Sequence, residues 1–182
     1  EYRLGELVTE TERWPAERIL SFLTLDLPIA GLVTGRLPLN GVTPRVVGRA
    51  DLAFEEARLW GQPFDRVEGT LGFESDLLRL TGVRGSLGAG TARLEGLWRY
   101  DDDGYEVAAA AERLPLERLD AVTSGAQGLT GLLSGSLAGR GTLEEPGLEA
   151  EGTIADASWD GKPLSPDGRP AGVRLSLSGE DV

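Results

Sequence analysis

The chain has 182 residues with a net charge of −12, from 30 acidic and 18 basic side chains, and contains no His, Cys or Met. Without His and Cys it cannot form a Ser-His-Asp triad, a cysteine nucleophile, a disulfide or a zinc site of imidazole and thiolate ligands. The negative charge disfavours nucleic-acid binding. The sequence contains no run of about 18 apolar residues, so it predicts no membrane-spanning helix. Since the sequence lacks an initial Met, we expect a piece of a longer protein.

The first predicted element is a short helix that begins at Pro15. Proline suits the first turn of a helix, and apolar residues continue at helical spacing to Leu23. The same pattern starts again at Pro115, over residues 115–119. We therefore expect one short helix in each half of the chain.

Most of the remaining chain alternates apolar and polar residues, which is typical of strands with one buried face. In one such segment, Leu52 and Phe54 take one face while Asp51 and Glu55 take the other. Strands of this kind are predicted within residues 49–55, 67–74, 92–100, 148–154 and 173–178. Turn residues separate them at 61–63, 101–104, 145–147 and 165–168. The pattern predicts a mainly antiparallel all-β fold.

Three segments superficially resemble functional motifs. The glycine-rich segment 85–90 lacks the Lys-Ser/Thr ending of a phosphate-binding loop and is interpreted as a strand or bulge. The acidic run 101–104 lacks the alternating ligands of a calcium loop and is interpreted as a hairpin turn. The acidic pairs 55–56 and 144–145 do not suit acid–base catalysis, because neighbouring strand residues point to opposite faces and turn carboxylates are solvated. We predict no catalytic residue, no metal site and no cofactor.

An internal repeat relates the two halves of the chain. A shift of about 100 residues superimposes 12–19 on 112–119 and 31–37 on 131–137 without a gap. The same shift places identical residues on each other: Ala57, Gly61 and Pro63 coincide with Ala157, Gly161 and Pro163. We predict that 1–182 is a fragment of a repetitive β domain, with one unit at about 12–111 and part of a second at about 112–182.

The apolar face of this sheet has to be hidden from water, and two arrangements would achieve this. A two-layer sandwich with a closed core is one of them. However, aromatic residues make up only 6% of the chain, and many positions on the apolar face are small: Gly69, Gly96, Ala109, Gly135 and Gly152. Small residues fill a closed core poorly but permit strong curvature. The second arrangement is therefore an elongated, curved sheet that forms a trough.

Residues 129–163 resemble the repeats of the TamB family, which belongs with the AsmA-like bacterial envelope proteins. The repeats of that family run as a Leu-x-Gly-x-Leu strand, a Gly-Thr-Leu-x-x-Pro turn, a Gly-rich strand and a Gly-x-Pro-Leu hairpin. The matching segments are 129–137, with Leu133-x-Gly135-x-Leu137; 139–146, with Gly141-Thr142-Leu143-x-x-Pro146; 150–154; and 157–163. Residues 71–97 are similar to the middle of such a unit, so the resemblance covers nearly the whole chain from about residue 25.

The resemblance implies a β-taco, a U-shaped trough with a hydrophobic interior. It also implies a place in the periplasm of a diderm bacterium, with the full-length protein anchored in the inner membrane by an N-terminal helix. Family members are thought to carry phospholipid between the inner and outer membranes. Some act with an Omp85-type outer-membrane barrel, which would make such a barrel a partner besides the phospholipid acyl chains.

On this hypothesis the apolar faces of the strands form the wall of a lipid groove. The predicted wall residues are Leu52, Phe54, Leu71, Phe73, Leu78, Leu80, Leu94, Trp98, Leu133, Leu137, Leu148, Ile154, Trp159, Leu175 and Leu177. Two alternatives remain open at this stage. The chain could be a structural spacer or adhesion repeat of a secreted protein with a closed β-sandwich core. It could also be an enzyme such as a glycosidase that acts through two carboxylates in a polar cleft.

Overall fold

A computed structural model describes residues 3–22, 29–42, 45–59, 61–74, 76–99, 101–142, 144–165 and 167–178. The strands in these ranges are β1 (Arg3–Pro15), β2 (Ile29–Val42), β3 (Arg45–Leu59), β4 (Gln62–Phe73), β5 (Leu77–Leu87), β6 (Gly90–Arg99), β7 (Tyr105–Pro115), β8 (Leu129–Gly141), β9 (Pro146–Trp159), β10 (Lys162–Pro163) and β11 (Ala171–Leu177). The helical elements are α1 (Ala16–Phe22), a 3₁₀ turn (Leu116–Arg118) and α2 (Asp120–Gly125). None of the described helices is long and apolar enough to cross a membrane.

The strands form one open antiparallel sheet in which spatial order follows chain order. Each strand from β1 to β9 pairs with its sequence neighbours, and both β10 and β11 pair with the outer edge of β9. The prediction of a mainly antiparallel all-β fold with one curved sheet is confirmed. The closed β-sandwich is wrong for the described residues, because strands added one by one to a single sheet leave no second sheet to cover its apolar face.

The pairing register places apolar residues on one face of the sheet. Residues directly opposite each other on antiparallel strands share a face, as do residues two apart on one strand. Phe73 lies opposite Leu78, which in turn lies opposite Trp98, so these three form one row across β4, β5 and β6. Neighbouring positions carry the charges: Glu68 lies opposite Arg84 on the other face. The period-2 pattern of the sequence therefore becomes an apolar and a charged side.

The apolar face is the concave side of the sheet. An ideal Cβ placed on Gly152 lies 2.7 Å from the carbonyl oxygen of Ser134, and one placed on Gly69 lies 2.9 Å from the Cα of Val83. Cβ atoms in proteins essentially never come closer than 3.0 Å to such neighbours. On the charged face, a Cβ on Gly72 would find its nearest neighbour at an ordinary 3.6 Å and one on Gly172 would find none within 4 Å; the exception is Gly147 near the start of β9, at 2.8 Å from the carbonyl oxygen of Arg140. Strand backbones are thus compressed together on the apolar side, which is the geometry of a sheet that curves toward it.

The pairing pattern recurs with a shift of 100 residues. Val33 lies opposite Phe54 in β2 and β3, and Leu133 lies opposite Ile154 in β8 and β9. The sheet irregularities recur as well, because the register shift after Ala30 has its counterpart after Thr130. The bounds of the repeat units stay a prediction, but equivalent sequence segments adopt equivalent pairings.

Bulges repeat in the same way and give two arginines an unusual backbone conformation. Arg13 and Arg113 have positive φ angles of 52° and 54°, in the left-handed region that residues other than glycine rarely adopt. Each lies in a register shift, between β1 and β2 or between β7 and β8. The freed backbone N–H of Arg13 donates to the hydroxyl of Thr34 at 3.2 Å, and that of Arg113 to the hydroxyl of Ser134 at 2.9 Å. A hydroxyl residue at the same position of each unit therefore satisfies the bulge.

Several boundaries differ from the sequence prediction. Pro15 and Pro115 end strands β1 and β7, and the helical elements begin one residue later. The physical reason is the bulge just before each proline, which lets the strand continue to the proline itself. The segment 85–90 is the end of β5, a turn at 88–89 and the first residue of β6, so it is a hairpin rather than a continuous strand. Leu23 and Tyr100, predicted to end a helix and a strand, lie outside the described residues.

Candidate functional site

The concave face is the candidate functional surface. The structure places the predicted wall residues on this one face: Leu52, Phe54, Leu71, Phe73, Leu78, Leu80, Leu94, Trp98, Leu133, Leu137, Leu148, Ile154, Trp159, Leu175 and Leu177. Trp159 lies opposite Leu129, four residues before Leu133 on β8, and is 44% exposed at the end of β9. The positions between the large side chains are glycine and alanine, and no paired residue of β6, β7, β8 or β9 on this face is charged.

The part of the concave face nearest the N-terminus is packed. Ala50, Phe73 and Leu78 form a buried cluster, and Phe73 is only 4% exposed. Ile19 of α1 packs against this cluster, so a helix covers part of the concave face here. Leu52, Leu71 and Trp98 pack against the same cluster while remaining partly exposed. In this section, predicted wall residues such as Phe73 and Leu78 form a closed core.

The part nearest the C-terminus is open around one end of its strands, whereas Leu114 and Leu116 at the other end are buried. Val173, Leu175 and Leu177 of β11 are 46%, 62% and 41% exposed, although all three lie on the apolar face. A hollow of about 800 Å³ is bordered by strands β5 to β9 and β11. One row of opposed residues runs across all six strands within its lining: Leu80, Gly96, Val107, Gly139, Leu148 and Leu177. Here the sheet presents an apolar surface that no described element covers.

A polar contact ties the segment between β7 and β8 to the hairpin of β3 and β4. Arg118 makes a bidentate ion pair with Asp65, at 2.7 Å and 3.1 Å. The side-chain amide of Gln62 donates to the carbonyl oxygen of Arg118 at 3.1 Å and accepts from the backbone N–H of Asp120 at 2.9 Å. We call these four residues the latch. Because it joins residues more than 50 positions apart, the latch holds β4 close to the β7–β8 connection at one end of the strands.

The latch also perturbs its carboxylate. The hydrogen bond from Arg118, together with one from the backbone N–H of Gly88 at 2.6 Å, lowers the pKa of Asp65 below its ordinary value. The same hydrogen bond raises the pKa of Arg118. Both side chains are almost half exposed, so solvent screens the ion pair and its contribution comes mainly from the bidentate geometry.

In two of the acidic segments that resembled functional motifs, a carboxylate has a structural partner. In the turn at 101–104, Asp102 accepts from the backbone N–H of Gly104 at 2.8 Å and from Arg99, and both contacts lower the pKa of Asp102. Glu55 makes an ion pair with Arg13, while Glu56 occupies a bulge with a φ of 53°. In the described part of the chain, no group of three or more acidic residues is arranged to hold a metal ion.

The sequence did not identify the latch. Gln62 and Asp65 follow a turn, and Arg118 and Asp120 stand in a helical segment, so each is individually typical of a solvated surface position. No local pattern connects positions that are 53 to 58 residues apart. The one sequence feature that pointed to this region was the proline-led segment at 115–119. Its helical character interrupts the strands, and another part of the sheet can contact the chain there.

Comparison with known proteins found no matching family model, no matching curated protein and no matching solved structure. The concave apolar face and the latch are therefore the features from which a function has to be inferred.

Proposed function

We propose that this chain is a lipid-conducting segment of a TamB-like envelope protein, whose concave face carries phospholipid between the inner and outer membranes across the periplasm. The observation that carries the proposal is the uncharged concave face over β6 to β9, which is open along the row from Gly96 to Leu148 beside the exposed Leu175 and Leu177. The motif resemblance at 129–163 points to the same function. An outer-membrane barrel is proposed as a partner of the full-length protein only, and not of this segment by itself.

The physical need for such a surface is clear from the cost of exposing acyl chains. Each methylene in water costs about 0.8 kcal/mol, so a phospholipid crosses an aqueous gap only if its chains stay covered. A face of leucine, valine, glycine and alanine resembles the bilayer interior and would make transfer between positions nearly isoenergetic. Fixed charges would create binding sites from which the lipid leaves slowly. The absence of charge in the rows of β6 to β9 suits a surface that holds its cargo weakly everywhere.

A matched pair of photo-crosslinkers tests the proposal. Leu137 lies on the concave face, whereas its neighbour Ala138 is exposed on the charged face. Benzoylphenylalanine at 137 is expected to capture phospholipid in cells and in vesicle suspensions, while the same group at 138 is not. Lipid captured equally at both positions, or at neither, would contradict the proposal.

A second matched pair tests transport itself. Ala109 faces the concave side and Ala110 the charged side of β7. Ala109→Asp places a carboxylate in the acyl path and should slow the transfer of fluorescent phospholipid between vesicles about 10-fold or more, since a buried charge costs several kcal/mol. Ala110→Asp should leave the rate unchanged. Circular dichroism of both variants establishes that the sheet is intact; transfer unaffected by Ala109→Asp in a folded protein would favour a spacer or adhesion role.

A further inference from the structure

Trp98 carries an unpaired hydrogen-bond donor on the concave face. Its indole nitrogen Nε1 is buried, and no acceptor among the described residues lies within hydrogen-bond distance of it. In the described part of the chain it is the one buried side-chain nitrogen or oxygen without a partner. Buried Trp N–H groups usually have a partner, because a donor removed from water without an acceptor destabilises the fold. The unpaired donor therefore points to an acceptor that a ligand supplies.

The pairing register places Trp98 between the packed and the open sections of the concave face. Leu78, opposite Trp98 on β5, belongs to the buried cluster, and Trp98 packs against that cluster. Gly96, two residues earlier on the same face of β6, borders the hollow. Because glycine has no side chain, no side chain of β6 separates the indole from the hollow. Trp98 is only partly buried, so a rotamer change of the kind that often accompanies binding turns its N–H toward the hollow.

An aromatic pair stands at the strand ends beside the hollow. Trp98 near the end of β6 lies opposite the half-buried Tyr105 at the start of β7, and the acidic turn 101–104 joins these strands. Gly96 opposite Val107, in the row that lines the hollow, is the next pair on the same face. In bilayers, Trp and Tyr favour the boundary between acyl chains and head groups, because their rings combine an apolar body with a polar tip. The same order is found here: an apolar row inside, an aromatic row at the edge, and a charged turn beyond it.

We propose that the indole N–H of Trp98 donates a hydrogen bond to the ester carbonyl oxygen of a phospholipid whose acyl chain lies in the hollow. This inference rests on the proposed function and adds to it a preference for ester-linked lipids. The ester carbonyl stands between the acyl chain and the head group, and Trp98 stands at the corresponding level between the hollow and the turn. An ether-linked phospholipid has the same chains and head group but no carbonyl oxygen, so it leaves the donor unpaired. One neutral hydrogen bond distinguishes the two lipids about 5-fold without holding the cargo tightly.

Vesicles with equal amounts of dimyristoyl phosphatidylcholine and its dialkyl ether analogue test the proposal. After incubation, the lipid that the purified chain has extracted is quantified by mass spectrometry. The unaltered chain is expected to retain the ester lipid over the ether lipid about 5-fold. Equal retention of the two lipids would overturn the proposal and leave water as the partner of the indole, while the retained lipid would still support the proposed function. Retention of neither lipid would contradict both.

Two tryptophan variants provide the matched control. Trp98→Phe removes the donor and keeps an aromatic ring beside the cluster, so its ratio of ester to ether lipid is expected to fall to that of the vesicles. Trp14→Phe makes the same change in a side chain that is 50% exposed on β1, a strand that does not border the hollow. It should keep the ratio of the unaltered chain. A preference that persists in Trp98→Phe, or that both variants lose equally, would overturn the proposal.

The NMR signal of the indole gives a readout in the unaltered chain, which does not depend on the folding of a variant. The chain has four tryptophans, and the indole N–H signal that Trp98→Phe removes belongs to Trp98. This signal is expected to shift downfield when the ester lipid is added and to shift less with the ether lipid, because only the ester offers an acceptor. An identical response to both lipids would show that the indole senses the acyl chain and not the carbonyl, and would overturn the proposal.

Discussion

Small residues on the concave face set the curvature of the sheet. Gly69 and Gly152 stand where an added Cβ would meet the backbone or the Cα of the adjacent strand at less than 3.0 Å. A larger residue could be accommodated only if the strands moved apart, which would flatten the sheet and lengthen its hydrogen bonds. The glycine content therefore has a geometric function at these positions.

Gly152→Ala should destabilise the protein by about 1–3 kcal/mol, because its Cβ meets the carbonyl oxygen of Ser134 and the Cα of Gly135. The matched control is Gly172→Ala, on the neighbouring strand, where an added Cβ has no neighbour within 4 Å. That variant should stay within about 0.5 kcal/mol of the parent. Urea unfolding followed by tryptophan fluorescence measures both free energies. Equal stabilities of the two variants would show that the sheet relaxes without cost.

For single residues, the sequence predicted well which face of the sheet a strand residue lies on, and predicted poorly where the β-bulges lie. Alternation was sufficient to assign Leu52, Phe54 and Leu94 to one face, since period 2 is a local property of a strand. It could not locate the bulges at Arg13 and Glu56, because an extra residue in a strand depends on the partner strand and not on the residue itself.

The helical elements between strands give the sheet contacts beyond neighbouring strands. α1 lies against the concave face through Ile19, while the 3₁₀ turn and α2 reach β4 through the latch. The sequence predicted a helix at each proline but gave no information about where it docks. Docking depends on contacts such as Gln62 to Arg118 that join distant parts of the chain.

The latch should make stability depend on pH in the acid range. Folding lowers the pKa of Asp65, mainly through its hydrogen bond to Arg118. The free energy that this ion pair adds to the stability of the fold is therefore fully present above the ordinary Asp pKa of 3.8. It is lost as the pH falls through the lower value of the folded state. Asp65→Asn should therefore unfold at lower urea concentration than the parent near pH 7, and the difference should shrink as the pH falls below 3.8.

A midpoint difference for Asp65→Asn that stays constant from pH 7 to pH 3 would show that the ion pair with Arg118 does not contribute.

On the scale of the whole molecule, many charged residues of the described strands alternate with the apolar positions and lie on the convex side, as Asp51, Glu68 and Arg84 do. Other charges lie in turns and helical segments, such as Asp101 and Glu117. The exposed ion pairs among them contribute little to stability. Their summed field, by contrast, acts on any charged membrane that the protein approaches.

On the proposed function, lipid uptake from anionic vesicles should therefore depend on salt. Raising the ionic strength from about 0.01 M to 0.15 M shortens the screening length from ~30 Å to ~8 Å and should accelerate uptake from phosphatidylglycerol vesicles. Uptake from phosphatidylcholine vesicles, which carry no net charge, should stay unchanged. Stopped-flow fluorescence with labelled lipid measures both rates. Slower uptake from anionic vesicles at high salt would show that a local basic site, and not the overall charge, governs the encounter.

The fold class could be predicted from the sequence, but one feature of the architecture could not. Repetition and alternation sufficed for an all-β curved sheet, because both are carried by residues close in sequence. The division of the concave face into a packed and an open section was not predictable. It depends on Ile19 reaching the cluster of Ala50 and Phe73, a contact that no sequence pattern encodes.

The nearest-neighbour pairing of the strands has a mechanical consequence. A force applied to β11 would peel strands from the sheet one after another, since each strand pairs only with its neighbours in the described sheet. Such unzipping gives a series of low, similar force peaks. The latch interrupts the series, because β4 stays clamped to the segment after β7 until Arg118 leaves Asp65. Under tension the molecule would extend in small steps up to the clamp, which protects the packed N-terminal section from the load.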